Sequence, residues 1–308
     1  MKLKYKLKSW LQKKMRSISD QHVADLTSRF AYVCRAERLS NCAQNCNSPG
    51  VSSDKYCDDE IVVSLTTHGS RLYDVYLAIE SIMQQTFKPN KIVLWLADEM
   101  KGANIPMLLQ NQQKRGLEIR YCNDIRAYKK LIPALTAFPS ASIITIDDDN
   151  IYYPDLIENL VNEHKENADV ILCARLHRIK LVAGNRLEKY ARWIQLYDKF
   201  DISPLNFPTG IGGVLYPPGC FSNEVFNEAV FTDICKYADD VWFKAMALLN
   251  GTMSKKVFTH NKNGTDHFNI ENTQYTALSQ INIDKNMNDK QLKAVFDKYG
   301  LYDKLYRG

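Results

Sequence analysis

Ser142-Ile143-Ile144-Thr145-Ile146-Asp147-Asp148-Asp149-Asn150 is a short apolar run that stops in three consecutive carboxylates. A run of this length, rich in β-branched residues and closed by polar ones, reads as a strand buried on both faces. Its carboxyl end emerges with three acids side by side. Like charges this close oppose one another's ionisation, so the cluster calls for good solvation or for a cation among the acids. The neighbouring chain repeats the same strand-to-polar-end logic, which favours a site at this edge over a plain solvated loop before Pro154.

Working outward, Ile61-Val62-Val63-Ser64-Leu65 runs into Thr66-Thr67-His68, and Lys91-Ile92-Val93-Leu94-Trp95-Leu96 runs into Asp98-Glu99. Leu117–Tyr121 and Val170–Cys173 read as further strands. Between them, apolar residues at helical spacing (Leu72, Val75, Ile79, Ile82, Met83) and the stretches 106–114, 128–138 and 154–166 read as helices. Strands alternating with helices predict an α/β fold: a mostly parallel, Rossmann-like sheet flanked by helices, with right-handed crossovers. Such sheets bind ligands at the carboxyl ends of their strands, near a switch in strand order. Thr66-Thr67, Asp98 and Asp147-Asp148-Asp149 are therefore expected to converge on one edge.

The bulk numbers exclude several classes. The chain has 308 residues, 45% apolar and 24% charged, with a net charge of +5. Its apolar runs fall short of the roughly 18 to 20 residues of a membrane span, and no secretion signal opens it. Residues 1–16 carry seven basic residues and no acid, which leaves the remainder at −2. The body is thus near neutral and not a nucleic-acid surface. Leu3, Leu7, Trp10, Leu11, Met15 and Ile18 line one face of a predicted basic amphipathic helix, which suits an anionic membrane surface for residues 1–18. A second helix is expected over Asp20 to Arg38, and a loop over Asn41 to Asp59. The eight cysteines read as reduced thiols of a cytosolic protein, and Cys42 and Cys46 have no partners at zinc-finger spacing.

No Gly-x-Gly-x-x-Gly follows the first strand, and no P-loop occurs, so the usual phosphate cradles are missing. What remains is a hard cation, Mg²⁺ or Mn²⁺, bridging a diphosphate to carboxylates. A second acidic pair, Asp239-Asp240, opens a predicted helix over 241–249. Thr209-Gly210-Ile211-Gly212-Gly213 lies between the two acidic sites and lets backbone approach a ligand closely.

Taken in order, several segments together resemble the GT-A glycosyltransferases, above all the family-2-like enzymes of bacterial surface polysaccharide synthesis. They are Val63–Thr67, Glu80-Ser81-Ile82-Met83-Gln84-Gln85-Thr86, Pro89–Leu96, Tyr128–Pro133, Asp147–Pro154, Gly210–Pro218 and Ala238-Asp239-Asp240-Val241-Trp242. The likeness covers about residues 60–260. It implies a metal-dependent inverting transferase of the hexosyl or N-acetylhexosaminyl type. Such an enzyme moves a sugar from a nucleotide-diphospho-sugar, most simply a UDP-sugar, to a glycan or lipid-linked acceptor at the cytoplasmic face of the membrane. It implies Asp149, Asp147 and a late-loop histidine, His267 or His260, as metal ligands. Thr66, Thr67, Asp98, Lys129, Lys130, Asp147, Asp148, Gly212 and Gly213 would hold the nucleotide-sugar. Asp240 would be the base, with Asp239 beside it, although the family more often has Glu-Asp there. Residues 1–59 are then a basic helix and linker, 60–180 the donor half, 181–270 the acceptor and catalytic half, and 271–308 a helical tail. A sugar nucleotidyltransferase, a retaining GT-A transferase and a non-catalytic glycan-assembly protein are the competing readings.

Overall fold

The computed structural model describes residues 2–184, 186–261, 266–271, 273 and 287–306. Among these residues thirteen strands and eight α-helices follow in chain order: α1 (Lys2–Asn45), β1 (Ile61–Thr66), α2 (Val75–Met83), β2 (Lys91–Ala97), α3 (Met107–Gln113), β3 (Leu117–Cys122), α4 (Ile132–Ala137), β4 (Ser142–Thr145) and β5 (Asn150–Tyr152). Then come α5 (Leu156–Glu166), β6 (Ile171–Cys173), β7 (Leu176–Arg178), β8 (Leu181–Val182), β9 (Arg186–Leu187), β10 (Asn206–Pro208), β11 (Val214–Tyr216), α6 (Glu228–Ile234), α7 (Asp239–Asn250), β12 (Ser254–Lys256), β13 (His267–Asn269) and α8 (Met287–Tyr299).

The core is a seven-stranded sheet in the order β12-β6-β11-β4-β1-β2-β3. Every neighbouring pair is parallel except those of β11, which runs antiparallel to both β4 and β6. The expected mostly parallel α/β sheet is therefore the fold. Alternate residues of each strand feed opposite faces, as the pleat requires. Val62, Val93, Ile143 and Val214 join one apolar cluster, while Ile61, Val63, Leu65, Ile92, Leu94 and Ile144 join the other. Two covered faces explain why these strands read as unbroken apolar runs.

The chain goes outward from β1 to β2 and β3, then returns to place β4 on the other side of β1. That reversal is the switch point, and it sets Thr66-Thr67 beside the Asp147–Asp149 cluster.

The leading helix differs from expectation. A single helix runs through the break anticipated at Asn41 as far as Asn45. Leu39 and Ala43 are fully buried, and Leu39 packs with Leu77 and Ala78 of α2, so packing on the body carries the helix past its polar residues. Further back, Met15, Val23, Leu26, Phe30 and Val33 are all more than half exposed. No described helix is long and apolar enough to cross a membrane. All eight cysteines are free thiols.

Candidate active site

A cleft of about 810 Å³ opens at the carboxyl edge of the sheet, and both acidic clusters line it. Around it the three carboxylates at the end of β4 meet cations supplied by the protein. Asp148 is buried; its Oδ2 accepts from the Thr67 hydroxyl at 2.6 Å and its Oδ1 from Arg71 Nη1 at 2.8 Å. The same guanidinium lies 3.1 Å from Asp149 Oδ2 and donates through Nη2 to the Thr273 carbonyl at 2.9 Å. Asp148 thus ties the end of β1 to the end of β4. Asp149 Oδ1 accepts from Asn150 Nδ2 at 2.6 Å. Burial, reinforced by the nearby Asp147 charge, pushes the Asp149 carboxyl up to about 6 despite Arg71.

Asp147 faces the other way, toward Lys130. The ammonium sits 3.0 Å from Asp147 Oδ1 and 2.9 Å from Asp239 Oδ2, bridging the two acidic clusters. Burial opposes its charge, but Asp147 and Asp239 outweigh that and raise the lysine well above its ordinary value. The bridge is positioned from below. Ser64 of β1 donates to the Lys130 carbonyl at 2.6 Å, and the Trp95 indole donates to Ser64 Oγ at 3.0 Å. Lys129 is pinned separately by Asp124.

Asp239 and Asp240 occupy the first turn of α7, where negative charge suits the free amides of a helix start. Neither caps the helix through its side chain. Asp240 Oδ2 accepts instead from the Gly210 amide at 3.2 Å. Burial first, then the Asp239 charge, pushes the Asp240 carboxyl up to about 7. Gly210 lies at the junction of the clusters. A Cβ there would stand 2.8 Å from Lys130 Nζ and 3.2 Å from Asp240 Oδ1, so no larger residue fits without breaking the bridge. Gly212 and Gly213 act nearby: a Cβ on Gly212 would meet Arg175 Cβ at 2.7 Å, and Gly213 turns the chain into β11 with φ of +89°.

The remaining predicted residues are placed less centrally. The Thr66 hydroxyl donates to the Trp95 carbonyl, although the residue lines the cleft. Asp98 pairs with Lys101 at 2.8 Å and does not line it. His260 pairs with Asp155 at the surface. His267, on β13 beside β5, has a buried Nδ1 with no partner; burial, then the Arg175 charge, lowers the imidazole to about 4. Trp193 and Trp242 are buried in the apolar core and do not face the cleft. Arg71, Arg126 and Tyr190 also line the cleft. Arg126 holds φ of +60° and stacks over Tyr237 at 5.3 Å, and only its place after Asn123-Asp124, turn-forming residues, hints at that backbone.

The chemistry of Asp147, Asp149 and His267 fits a divalent metal: two hard carboxylates, one already destabilised as an anion, and a neutral imidazole with an orphaned nitrogen. No three such groups converge on one point among the described residues. Asp149 has both oxygens engaged, Oδ2 by Arg71 and Oδ1 by Asn150.

No family model matches the chain, and no curated protein does. Solved structures do resemble it. A mannosyltransferase, PcManGT from Pyrobaculum calidifontis, in complex with GDP-Man and Mn²⁺, is 14% identical with a TM-score of 0.42, over 76% of this chain and 63% of that one. S. aureus TarS 1–349, in complex with UDP, is 16% identical with a TM-score of 0.42, over 66% and 58%. The inositol-1-phosphate CTP transferase from T. maritima is 11% identical with a TM-score of 0.40, over 82% and 98%. The chain spans less than two thirds of the first two. Likeness at this level carries no argument about chemistry, which rests on the cleft.

Proposed function

We propose that the protein is an inverting glycosyltransferase that moves a sugar from a nucleotide-diphospho-sugar, of which a UDP-sugar is the simplest choice, to a glycan or lipid-linked acceptor. The observation that carries this reading is the Lys130 bridge, which brings Asp147 of one acidic cluster and Asp239 of the other to the same ammonium. Donor-holding and base-bearing carboxylates thereby share one cleft.

Asp240, a carboxyl poised near 7, takes the proton of the acceptor hydroxyl. The hydroxyl oxygen bonds to the anomeric carbon from the face opposite the diphosphate. The old carbon–oxygen bond breaks and its electron pair leaves with the phosphate, inverting the centre. Lys130 holds Asp239 and keeps its charge from adding fully to that of Asp240. Thr67 and Asp148 fix the strand ends against which the nucleotide lies. Mn²⁺ or Mg²⁺ held by Asp147, Asp149 and His267 would supply Lewis-acid neutralisation of the leaving diphosphate.

Release of a nucleoside diphosphate on incubation with nucleotide-sugar and acceptor tests the reaction, and release of pyrophosphate would point to nucleotidyl transfer instead. Asp149→Ala is expected to abolish both transfer and Mn²⁺-dependent UDP binding, measured by calorimetry with and without the metal. Full turnover by that variant would remove Asp149 from the site.

The exposed apolar residues of α1, together with the basic stretch 1–16, support peripheral attachment to the cytoplasmic face of the membrane, where a lipid-linked acceptor is reached. Deleting residues 1–18 is expected to abolish cosedimentation with anionic liposomes at low salt. Unchanged sedimentation would locate the protein elsewhere.

A further inference from the structure

Most cations that line the cleft already have a carboxylate. Lys129 has Asp124, Lys130 has Asp147 and Asp239, and Arg71 has Asp148 and Asp149. Arg126 is exposed at the rim over Tyr237. Arg175 differs from all of these. It follows β6 and lines the cleft half-buried, and its guanidinium makes a single hydrogen bond, from Nη1 to the Thr209 hydroxyl at 2.9 Å. It forms no ion pair with any described residue.

A guanidinium withdrawn from water without a counter-ion is costly, and the cost is recovered when an anion binds to it. Burial accordingly pulls this arginine below its ordinary value, while Tyr190, Asp240 and Asp147 act in the opposite sense. Geometry places it on the same side of the cleft: Thr209, its hydrogen-bond partner, is followed directly by Gly210, whose Cβ position faces Lys130, Asp240 and Asp147. The stem is fixed in place. Thr209 N donates to the Arg175 carbonyl at 3.1 Å, and the missing side chain of Gly212 leaves room for Arg175 Cβ. The neighbouring His177 is buried and held near 4, by burial first and then by Arg175, so it stays uncharged at neutral pH.

We propose that Arg175 is a metal-independent anion subsite that takes phosphoryl oxygens of the substrate through its planar fork. Arginine suits this because its donors match phosphate geometry two at a time. The phosphoryl group comes either from the donor diphosphate or from a phosphate carried by the acceptor. The inference deepens the reading of the cleft as a phosphosugar site, but its test needs no sugar transfer.

The full chain in EDTA is titrated calorimetrically with inorganic pyrophosphate, UDP, glucose 1-phosphate and uridine. The wild type is expected to bind at least one phosphate-bearing probe without metal. Arg175→Gln is expected to weaken that binding tenfold or more, about 1.4 kcal/mol at 25 °C, with uridine affinity unchanged. Arg175→Lys keeps the charge and loses the fork, so an intermediate loss of about threefold is expected. Loss confined to pyrophosphate and UDP assigns the subsite to the donor, and loss confined to glucose 1-phosphate assigns it to the acceptor. The proposal is overturned if the wild type binds no phosphate probe in EDTA, if Arg175→Gln binds them all equally well, or if uridine binding falls in parallel. Should the glutamine variant not fold, undiminished binding by Arg175→Lys overturns it. Failure here leaves the metal-loaded transfer assay standing, and a failed transfer assay leaves these affinities standing.

Discussion

Asp240→Asn is expected to lower sugar transfer by about two to four orders of magnitude, the usual contribution of a positioned general base, while UDP binding stays unchanged. The asparagine can still accept the Gly210 amide hydrogen bond that Asp240 Oδ2 accepts at 3.2 Å, so the turn between the two acidic clusters is preserved. What is lost is the group that receives the proton. Transfer within severalfold of wild type would move the base to Asp239 or elsewhere. The pH dependence follows from the same residue. Its carboxyl is pushed up to about 7, first by burial and then by Asp239. The base form therefore grows in as pH rises through that value, and wild-type turnover is expected to climb and level off above it. Stability moves the other way. Between the ordinary carboxylate value and about 7 the folded state binds the proton and the unfolded chain does not, so this group's stabilisation is lost as pH rises through that window. The fall in Tm between pH 5 and pH 8 should be smaller in the asparagine variant.

The second large effect concerns stability. Arg115→Ala is expected to cost about 3–5 kcal/mol, the range found when one partner of a buried ion pair is removed. Glu80 on α2 is fully buried, and its two oxygens meet Arg115 Nη1 and Nη2 at 2.8 and 3.0 Å. Gln84 and Gln112 donate to the same carboxylate, and Arg115 Nε reaches the Ser48 carbonyl. The fork thus joins α2, the turn between α3 and β3, and the segment that follows α1. Alanine would leave a buried carboxylate without its counter-ion, held only by the neutral donors of Gln84 and Gln112. Urea denaturation should show a lower midpoint with an unchanged slope, and a loss below 1 kcal/mol would mean that Glu80 finds water or another donor. The lock also accounts for Glu80 in the Glu80-Ser81-Ile82 segment: it holds the helix that backs the sheet.

Much of the sheet was legible because burial on both faces leaves an unbroken apolar run with polar residues at each end. The strands at 61–66, 91–97, 117–122 and 142–145 all show it. The direction of β11 was not, since Val214-Leu215-Tyr216 reads the same whichever way it runs. The strand is entered through Gly213, at φ of +89°, and runs antiparallel between β4 and β6. The length of α1 is likewise not encoded locally. Its polar residues around Asn41 weaken helix propensity, but the burial of Leu39 and Ala43 against the body overrides it.

From sequence alone the three carboxylates after Ile146 call for either good solvation or a cation at this strand end, because the repulsion among adjacent acids is a local fact. Which cation answers them is a tertiary matter. Lys130 reaches Asp147 from 17 residues away, and Arg71 reaches Asp148 from 77. Coulomb energy depends on separation in space, and no periodicity or spacing along the chain encodes a contact made across the sheet's switch point. Sequence determined the parallel sheet, the acids at its edge and the second pair at the start of α7. The fold alone decided that Lys130 joins those clusters, that Gly210 leaves room for the bridge, and that Arg175 lines the cleft with no ion-pair partner among the described residues.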